Sequence, residues 1–374
     1  MSTFACPVVR VTIEPHPNAD QIEIARVGDF QSIVRRGQLK TGDLACYIPE
    51  QAVLPEWLLV QMNLWDAGKN KGALAGPAGN RVKAIKLRGV VSQGLVLPQA
   101  THQEGDDMAE FLGVIKYQPP IPTHLAGRIA IADLSSTHKY DFENLKRQPD
   151  LFEDGSEVVI TEKIHGTMIQ IGVVPSYQSS EKFFAGRVVL SSKGLGAEGF
   201  VLDHTDETNL YVQAAKNHGL LQSMLDVFGE LANKRSLPVF IVGEVFGVIQ
   251  TSGGNKGIQD LIYTGKILDF RAFDICVGNR GCETYLSWDE FVRACAALQV
   301  EHAPLLFRGP YSKQTVLDYT DGPTTLQAEG APAHIREGVV VKSAVESHHP
   351  LFGRRIAKSI SNAYLLRSEA TEYN

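Results

Sequence analysis

The sequence predicts an α+β fold in two modules, a small β-barrel in front and a larger body of antiparallel sheets with flanking helices behind it. Three observations predict it. Within the first hundred residues, short apolar runs recur between Gly and Gly-Asp turns, the pattern of a small closed sheet. After residue 150, apolar runs of strand length mix with stretches of helical spacing, without the regular alternation of a parallel βαβ fold. And 374 residues, 44% of them hydrophobic, suffice for two separate cores.

In the front module, bounded at residues 1–105, Val8 to Ile13 alternates and reads as a strand, which Pro15-His16-Pro17-Asn18-Ala19-Asp20 ends with turn residues. Strands follow at Ile22–Val27, Phe30–Val34 and Leu44–Ile48, separated by Gly28-Asp29, Gly37 and Gly42-Asp43. Arg81–Leu87 and Gly94–Leu97 form a further pair. Asn63 to Asn80, rich in Gly and Ala, reads as a long loop within the barrel. Residues 106–150 form the connection, with Pro119-Pro120-Ile121-Pro122 as a stiff spacer and Asp141 to Lys146 as a short helix.

The body, residues 151–374, opens with the strand end Glu157-Val158-Val159-Ile160. Thr161-Glu162-Lys163-Ile164-His165-Gly166-Thr167 follows, and then a second apolar run, Met168 to Val174. Thr205 to Lys234 has apolar residues at helical spacing and reads as one or two helices. Val239–Val245 is a buried strand that delivers the carboxylate of Glu244, and Ile267–Cys276 is another strand. Ser287 with Glu290 three residues on is a capping box that opens a helix to about Leu298. Gly338–Lys342 and Arg355–Ile360 are the last strands.

Composition excludes several classes. No stretch approaches the roughly 20 apolar residues of a membrane span, and the N-terminus lacks the basic-then-apolar pattern of a signal peptide. Five cysteines, none spaced as C-x-x-C, indicate neither a disulfide framework nor a zinc site, so a cytoplasmic protein with no membrane partner is expected. The net charge of −6 is unevenly spread. Residues 1–98 carry 11 Lys and Arg against 8 Asp and Glu, and the remainder 25 against 34. A basic front on an acidic body suits a module that holds a polyanion, with Arg35, Arg36, Lys83, Lys86 and Arg88 as its surface.

A lysine set between two apolar runs and followed by glycine is expected in a turn at a sheet edge. There it can be kept dry enough to lose its proton, which an exposed lysine with a pKa of about 10.4 cannot do at neutral pH. Taken alone, a K-x-x-G reads first as a surface turn, and what singles Lys163 out is the ordered set that follows it. Five segments line up behind it: Ser191-Ser192-Lys193-Gly194, Val242-Gly243-Glu244-Val245-Phe246-Gly247, Phe270-Arg271-Ala272-Phe273-Asp274-Ile275, Glu337-Gly338-Val339-Val340-Val341-Lys342 and Arg354-Arg355-Ile356-Ala357-Lys358-Ser359. From Phe152 to the C-terminus, this ordered set resembles the covalent nucleotidyltransferases, the ATP-dependent ligases and mRNA-capping enzymes. The wording around Lys163, with His165 where DNA ligases have aspartate, is similar to the RNA ligase branch. The Pro15–Asp20 and Lys86–Gly94 segments resemble those of tRNA-binding OB domains. An OB-like module ahead of the ligase body resembles the RNA ligase group with an N-terminal OB domain, the fifth RNA ligase family.

The resemblance implies an ATP-grasp-like ligase domain that joins 3′-hydroxyl and 5′-phosphate ends of RNA, at nicks or breaks in RNA-containing duplexes, as a monomer. It implies ATP, and Mg²⁺ or Mn²⁺ held largely through water by Glu244 and Glu337. Lys163 would take AMP from ATP, and Lys342, Lys358 and the metal would lower its hold on its proton and stabilise charge on the α-phosphate. Glu162 would read the adenine edge, Phe273 would stack on the base, and Lys193 would touch the substrate phosphate. Ile164 and Gly166 would line the nucleotide. Ile356 departs from the K-x-K that many relatives carry; Arg354 and Arg355 are near, but a strand residue one position away faces the opposite side. Two other readings stay open: a DNA ligase or capping-type nucleotidyltransferase, and a non-catalytic tRNA- or RNA-binding protein.

Overall fold

The structure, a computed structural model, describes residues 4–99, 101–117, 129–131, 137–175, 188–251, 254–259, 268–327 and 334–366. It divides into two compact units, one of Ser2–Pro119 with Lys146–Pro149 and Leu365–Asn374, the other of Pro120–Leu145 and Asp150–Tyr364. The expected Pro119–Pro122 spacer lies outside the described residues.

The first unit is built from antiparallel strands. These are β1 (Val8–Arg10), β2 (Thr12–Pro15), β3 (Ile22–Val27), β4 (Phe30–Arg35), β5 (Leu44–Ile48), β6 (Ile85–Leu87), β7 (Val90–Ser92) and β8 (Leu95–Pro98). β1, β5 and β8 form one sheet, β2, β3 and β4 a second, and β6 and β7 a hairpin. The expected strand Val8 to Ile13 is therefore two strands. At Val11 the N–H donates to Asp43 O and the carbonyl accepts from Gly42 N. The chain thus turns a corner from one sheet to the other while the Val11 side chain stays in the core with Ala25, Val27, Phe30, Val34, Tyr47 and Val96. The Asn63–Asn80 stretch carries a short ladder, Trp65–Asp66 against Lys71–Gly72. Before it stands a helix the periodicity misses, α1 (Glu56–Gln61), too short for a period and buried only through Leu58 and Leu59.

The second unit holds two main antiparallel sheets. The four-stranded one runs β14 (Leu305–Pro310), β9 (Glu157–Lys163), β15 (Gly338–Ser343), β16 (Ile356–Ile360). The five-stranded one runs β11 (Val188–Ser192), β10 (Thr167–Val173), β12 (Val239–Phe246), β13 (Asp269–Val277) and the short Thr284–Tyr285. Thr205 to Lys234 becomes two helices, α3 (Leu210–Asn217) and α4 (Leu220–Arg235), after the single turn α2 (Lys193–Ala197). Gly219, at φ +62, separates α3 from α4 in a conformation that favours glycine. Leu220, Met224, Phe228 and Ala232, four apart on α4, bury one face in the core shared with Ile169, Ile171, Ile241 and Ile275. The capping box at Ser287 and Glu290 opens α5 (Trp288–Leu298), as its sequence requires. Later come α6 (Lys313–Thr320) and α7 (Asn362–Leu365). A 3₁₀ turn at Leu145–Arg147 stands where a short helix is expected at Asp141 to Lys146. No helix among the described residues is long and apolar enough to cross a membrane.

One expectation about Lys163 is corrected. It lies not in a turn at a sheet edge but at the end of β9, an interior strand, opposite Gly338 of β15. The Glu162 N–H donates to Pro304 O, so main-chain pairing continues on both sides to the last residues of the strand.

Candidate active site

Antiparallel register decides which side chains share the face of the four-stranded sheet that carries Lys163. Thr161 pairs with Val340, which pairs with Lys358; Val159 pairs with Lys342, which pairs with Ile356. Directly paired residues point the same way, so Lys163, Lys342 and Lys358 lie on one face.

Lys163 Nζ donates to Glu337 Oε1 at 2.5 Å. Glu337 is 3% exposed. Burial alone would raise its carboxyl, but Lys163 and then His165 outweigh burial and hold it at about 2. His165 Nδ1 lies 3.4 Å from Glu337 Oε2 and 2.8 Å from the hydroxyl of Tyr364, which α7 brings in. Glu244, on β12, completes the cluster. Burial pushes its carboxyl up to about 8 against the pull of Lys163, and the neighbouring charge of Glu337 pushes the same way. At neutral pH the site thus holds one ionised and one protonated carboxyl group close to one amine. Gly166 lets the strand carrying Glu244 approach: a Cβ there would sit 2.4 Å from Val245 O and 2.8 Å from Glu244 Cγ.

Phe273 stands at a β-bulge. Val242 pairs with Asp274 and Gly243 with Ala272, so Phe273 is the extra residue. Bulges re-aim side chains beside active sites. Here the ring, partly buried, packs against the apolar cluster of Ile164, Phe246 and Ala303. It also packs against a second cluster, Tyr140, Val242 and Ile356, with the Tyr140 ring centroid 5.3 Å away.

A second buried cluster centres on Asp274, which is fully buried. Its Oδ2 accepts from Arg354 Nη1 at 2.5 Å and from the Tyr140 hydroxyl at 2.8 Å, and its Oδ1 from Lys342 Nζ at 3.3 Å. Burial opposes ionisation of Asp274, but Arg354 and Lys342 hold its carboxyl below the usual range. Burial pushes Lys342 down from the ordinary lysine value despite Asp274.

The sequence profile of the RNA ligase family matches residues 156–360, and an OB-fold domain profile matches residues 7–99. The chain belongs to the RNA ligase family. No curated protein matches it in sequence. Among solved structures it is similar to an RNA ligase of Naegleria gruberi. A lysine-to-methionine variant of that protein with AMP and Mn superposes with a TM-score of 0.72 at 23% identity, over 100% of both chains. A lysine-to-alanine variant with ATP and Mn gives 0.71 at 24%, over 96% of this chain and 98% of that one. The pyrophosphate-bound form gives 0.70 at 24%, over 97% and 98%. Likeness at this identity establishes the shared fold, an OB domain followed by a ligase domain.

Within this RNA ligase fold the expected residues separate into groups. Lys163, Glu244 and Glu337 come together. Ile164 and Phe273 share one apolar cluster beside them. Lys193 opens α2 after its cap Ser192 and pairs with Asp141 at 3.2 Å. Lys358 is 8% exposed, its N–H bound to Glu143 O. Lys342, expected beside Lys163, donates to Asp274 instead, under the rings of Phe291 and Trp288. Glu162, expected at the adenine edge, faces away from Lys163 by strand alternation. One of its oxygens accepts from the Thr324 hydroxyl, the other from the N–H and hydroxyl of Thr325, at 2.8 and 2.6 Å. It pins Thr324 and Thr325, and Arg336 donates to the carbonyl of the preceding Pro323. Ile356 is buried against Tyr140 and Val242. Arg355 turns to Leu151 O and Glu153, whereas Arg354, two positions before Ile356, reaches Asp274 and Glu346.

Four participants escape the sequence reading. Tyr364 has no signal of its own. Asp274 has one, a lone carboxylate in an apolar strand that must be paired. Thr324 and Thr325 have none.

Proposed function

We propose that this RNA ligase is ATP-dependent and joins 3′-hydroxyl to 5′-phosphate ends through lysyl-AMP, at nicks or breaks in RNA-containing duplexes. The observation that carries the reading is the buried Lys163–Glu337 pair with Glu244 beside it. The Naegleria structures, bound to ATP, AMP or pyrophosphate, support the nucleotide and metal assignments by analogy of fold.

In this reading Lys163 Nζ attacks the α-phosphorus of ATP. The N–P bond forms as the bond to the pyrophosphate oxygen breaks, and the amine proton leaves to solvent or to a nearby carboxylate. AMP then passes to the RNA 5′-phosphate, and the 3′-hydroxyl displaces it to close the phosphodiester. Attack needs the amine freed from Glu337, because a lysine paired to a carboxylate keeps its proton. Two buried carboxyl groups with one proton between them are a donor set suited to a hard divalent cation. Glu337 and Glu244 would hold Mg²⁺ or Mn²⁺, largely through water, and the ion would supply charge stabilisation at the α-phosphate. Phe273 would stack on the base from its bulge, with Ile164 and Gly166 lining the nucleotide and Glu162 fixing Thr324 and Thr325. Lys193 would meet the 5′-phosphate, Lys358 would meet the nucleotide phosphates, and Lys342 would act through Asp274. The OB domain would hold the RNA.

Incubation with α-labelled ATP and Mn²⁺, followed by denaturing electrophoresis, tests the first step. Transfer of label to the protein is expected, and an unlabelled protein would overturn the reading. Nicked duplexes with RNA or DNA on each side of the nick then test the substrate.

A further inference from the structure

The turn that ends β2 does more than reverse the chain. His16 Nδ1 accepts from the Asn18 N–H at 3.1 Å, which leaves the ring proton on Nε2, 3.3 Å from Leu87 O. Asn18 Nδ2 donates to Arg88 O at 2.9 Å. Asp20 O accepts from Arg36 Nη1 at 3.2 Å. One six-residue turn therefore gathers Arg36, from the end of β4, and the tip of the β6–β7 hairpin, which lie about fifty residues apart in sequence. The base of the hairpin is stitched to β4 as well, through Gln31 Nε2 to Val91 O and Ile33 N to Ser92 Oγ.

The tip itself is held against its own preference. Arg88 sits at φ +46 and Gly89 at φ +91, a two-residue hairpin turn with both central residues in the left-handed region. Asn or Gly takes the first of these positions with less strain than arginine does. Residues 85–89 are all exposed, so no burial repays an arginine there. The hairpin carries Lys86 and Arg88 and no acidic side chain, and Arg35 and Arg36 are exposed at the end of β4.

We infer that Arg36, Lys86 and Arg88 form a clamp for the sugar–phosphate backbone of the RNA, with His16 and Asn18 as positioning residues. The inference rests on the RNA ligase reading and specifies where the OB domain engages its polyanion. Contacts of this kind carry charge rather than sequence information, so binding should be tolerant of base sequence and sensitive to salt.

The test is binding of the full-length protein to a fluorescent nicked RNA duplex, followed by anisotropy across a salt series without ATP. Arg88→Gly relieves the backbone, so its Tm should equal or exceed that of the wild type. Its affinity should nevertheless fall several-fold, and the slope of log affinity against log salt should drop by about 0.7 to 0.9 for the one lost contact. Arg36→Gln with Arg88→Gly should lose about twice that slope. Asn18→Ala keeps every charge and should still weaken binding, with little further loss when combined with Arg88→Gly. Unchanged affinity and slope in Arg88→Gly and in Arg36→Gln would overturn the clamp. ATP labelling of the wild-type protein keeps the two ideas apart. A labelled enzyme whose clamp variants bind RNA normally refutes only the clamp, whereas an unlabelled wild type refutes the ligase reading beneath it.

Discussion

Lys163 Nζ donates to Glu337 Oε1 across 2.5 Å, so the candidate nucleophile rests in the grip of a buried carboxylate. Lys163→Ala should abolish transfer of label from ATP to protein, while a strand already adenylylated at its 5′ end is still joined. The variant should also be less stable by about 3–5 kcal/mol, because a buried carboxylate loses its main counter-charge. Urea denaturation measures the second effect. Persistent labelling would show that another group is the nucleophile.

Glu244 gives a pH prediction with a definite sign. Its carboxyl ordinarily titrates near 4.5, and burial raises it to about 8 in the folded protein. Between those values the native state keeps a proton that the unfolded chain has released, so its contribution to stability falls as pH rises and levels off above 8. Glu337 works in the opposite window: held at about 2, it stabilises the fold above 4.5 and loses that effect as pH falls through 2. Glu244→Gln should therefore raise the Tm of metal-free protein at pH 8 and flatten its slope between about pH 6 and 8. Parallel melting curves for variant and wild type over that range would contradict the raised value.

Tyr364 meets His165 twice: its ring packs edge-on against the imidazole, with centroids 5.3 Å apart, and its hydroxyl lies 2.8 Å from Nδ1. Tyr364→Phe keeps the buried ring and removes that contact. Lysyl-AMP formation should slow by roughly tenfold, the equivalent of about 1.4 kcal/mol, with KM for ATP little changed. The pH–rate profile should move as well, since the imidazole beside Glu337 loses a partner. A variant with wild-type rate and profile would reduce Tyr364 to core packing.

Phe273 offers a test of its bulge. Phe273→Ala should raise KM for ATP by an amount equivalent to about 1–3 kcal/mol, the usual worth of a base stacked on an aromatic ring. Because the ring also joins two apolar clusters, the alanine variant should melt earlier. Phe273→Leu restores most of the packing and should recover the Tm further than the KM. Equal recovery of both would assign the ring to packing alone.

Much of this architecture is legible because charge interrupts apolar runs. Lys163, Glu244 and Glu337 each stand at or beside a strand whose other residues are mostly buried, and such a group needs a partner or a ligand. The same logic points to Asp274 within Phe270–Ile275, yet its partners Tyr140, Lys342 and Arg354 are set by the tertiary fold and no local pattern reveals them. Strand alternation already separates Glu162 from Lys163 and Arg355 from Arg354. The face each one takes decides that Glu162 binds Thr325 and that Arg354, not Arg355, reaches the Asp274 cluster. The split at Val11 and the helix at Glu56–Gln61 are hidden for another reason: each is shorter than the period that would reveal it.

The hydrogen bond between Lys163 and Glu337 spans 174 positions of the chain, and that between His165 and Tyr364 spans 199. Closures of this length are entropically demanding, and they require the chain to be nearly complete before the pocket can form. During synthesis, β9 leaves the ribosome without β15 and β16 to pair with, and Lys163 stays an ordinary solvated amine until Glu337 and then Tyr364 arrive. A nascent or clipped chain would carry the candidate nucleophile without the arrangement of carboxyl groups and imidazole that surrounds it in the folded protein. Self-labelling by ATP would then serve as a sensor of completed folding, absent from any fragment that stops short of the last strand.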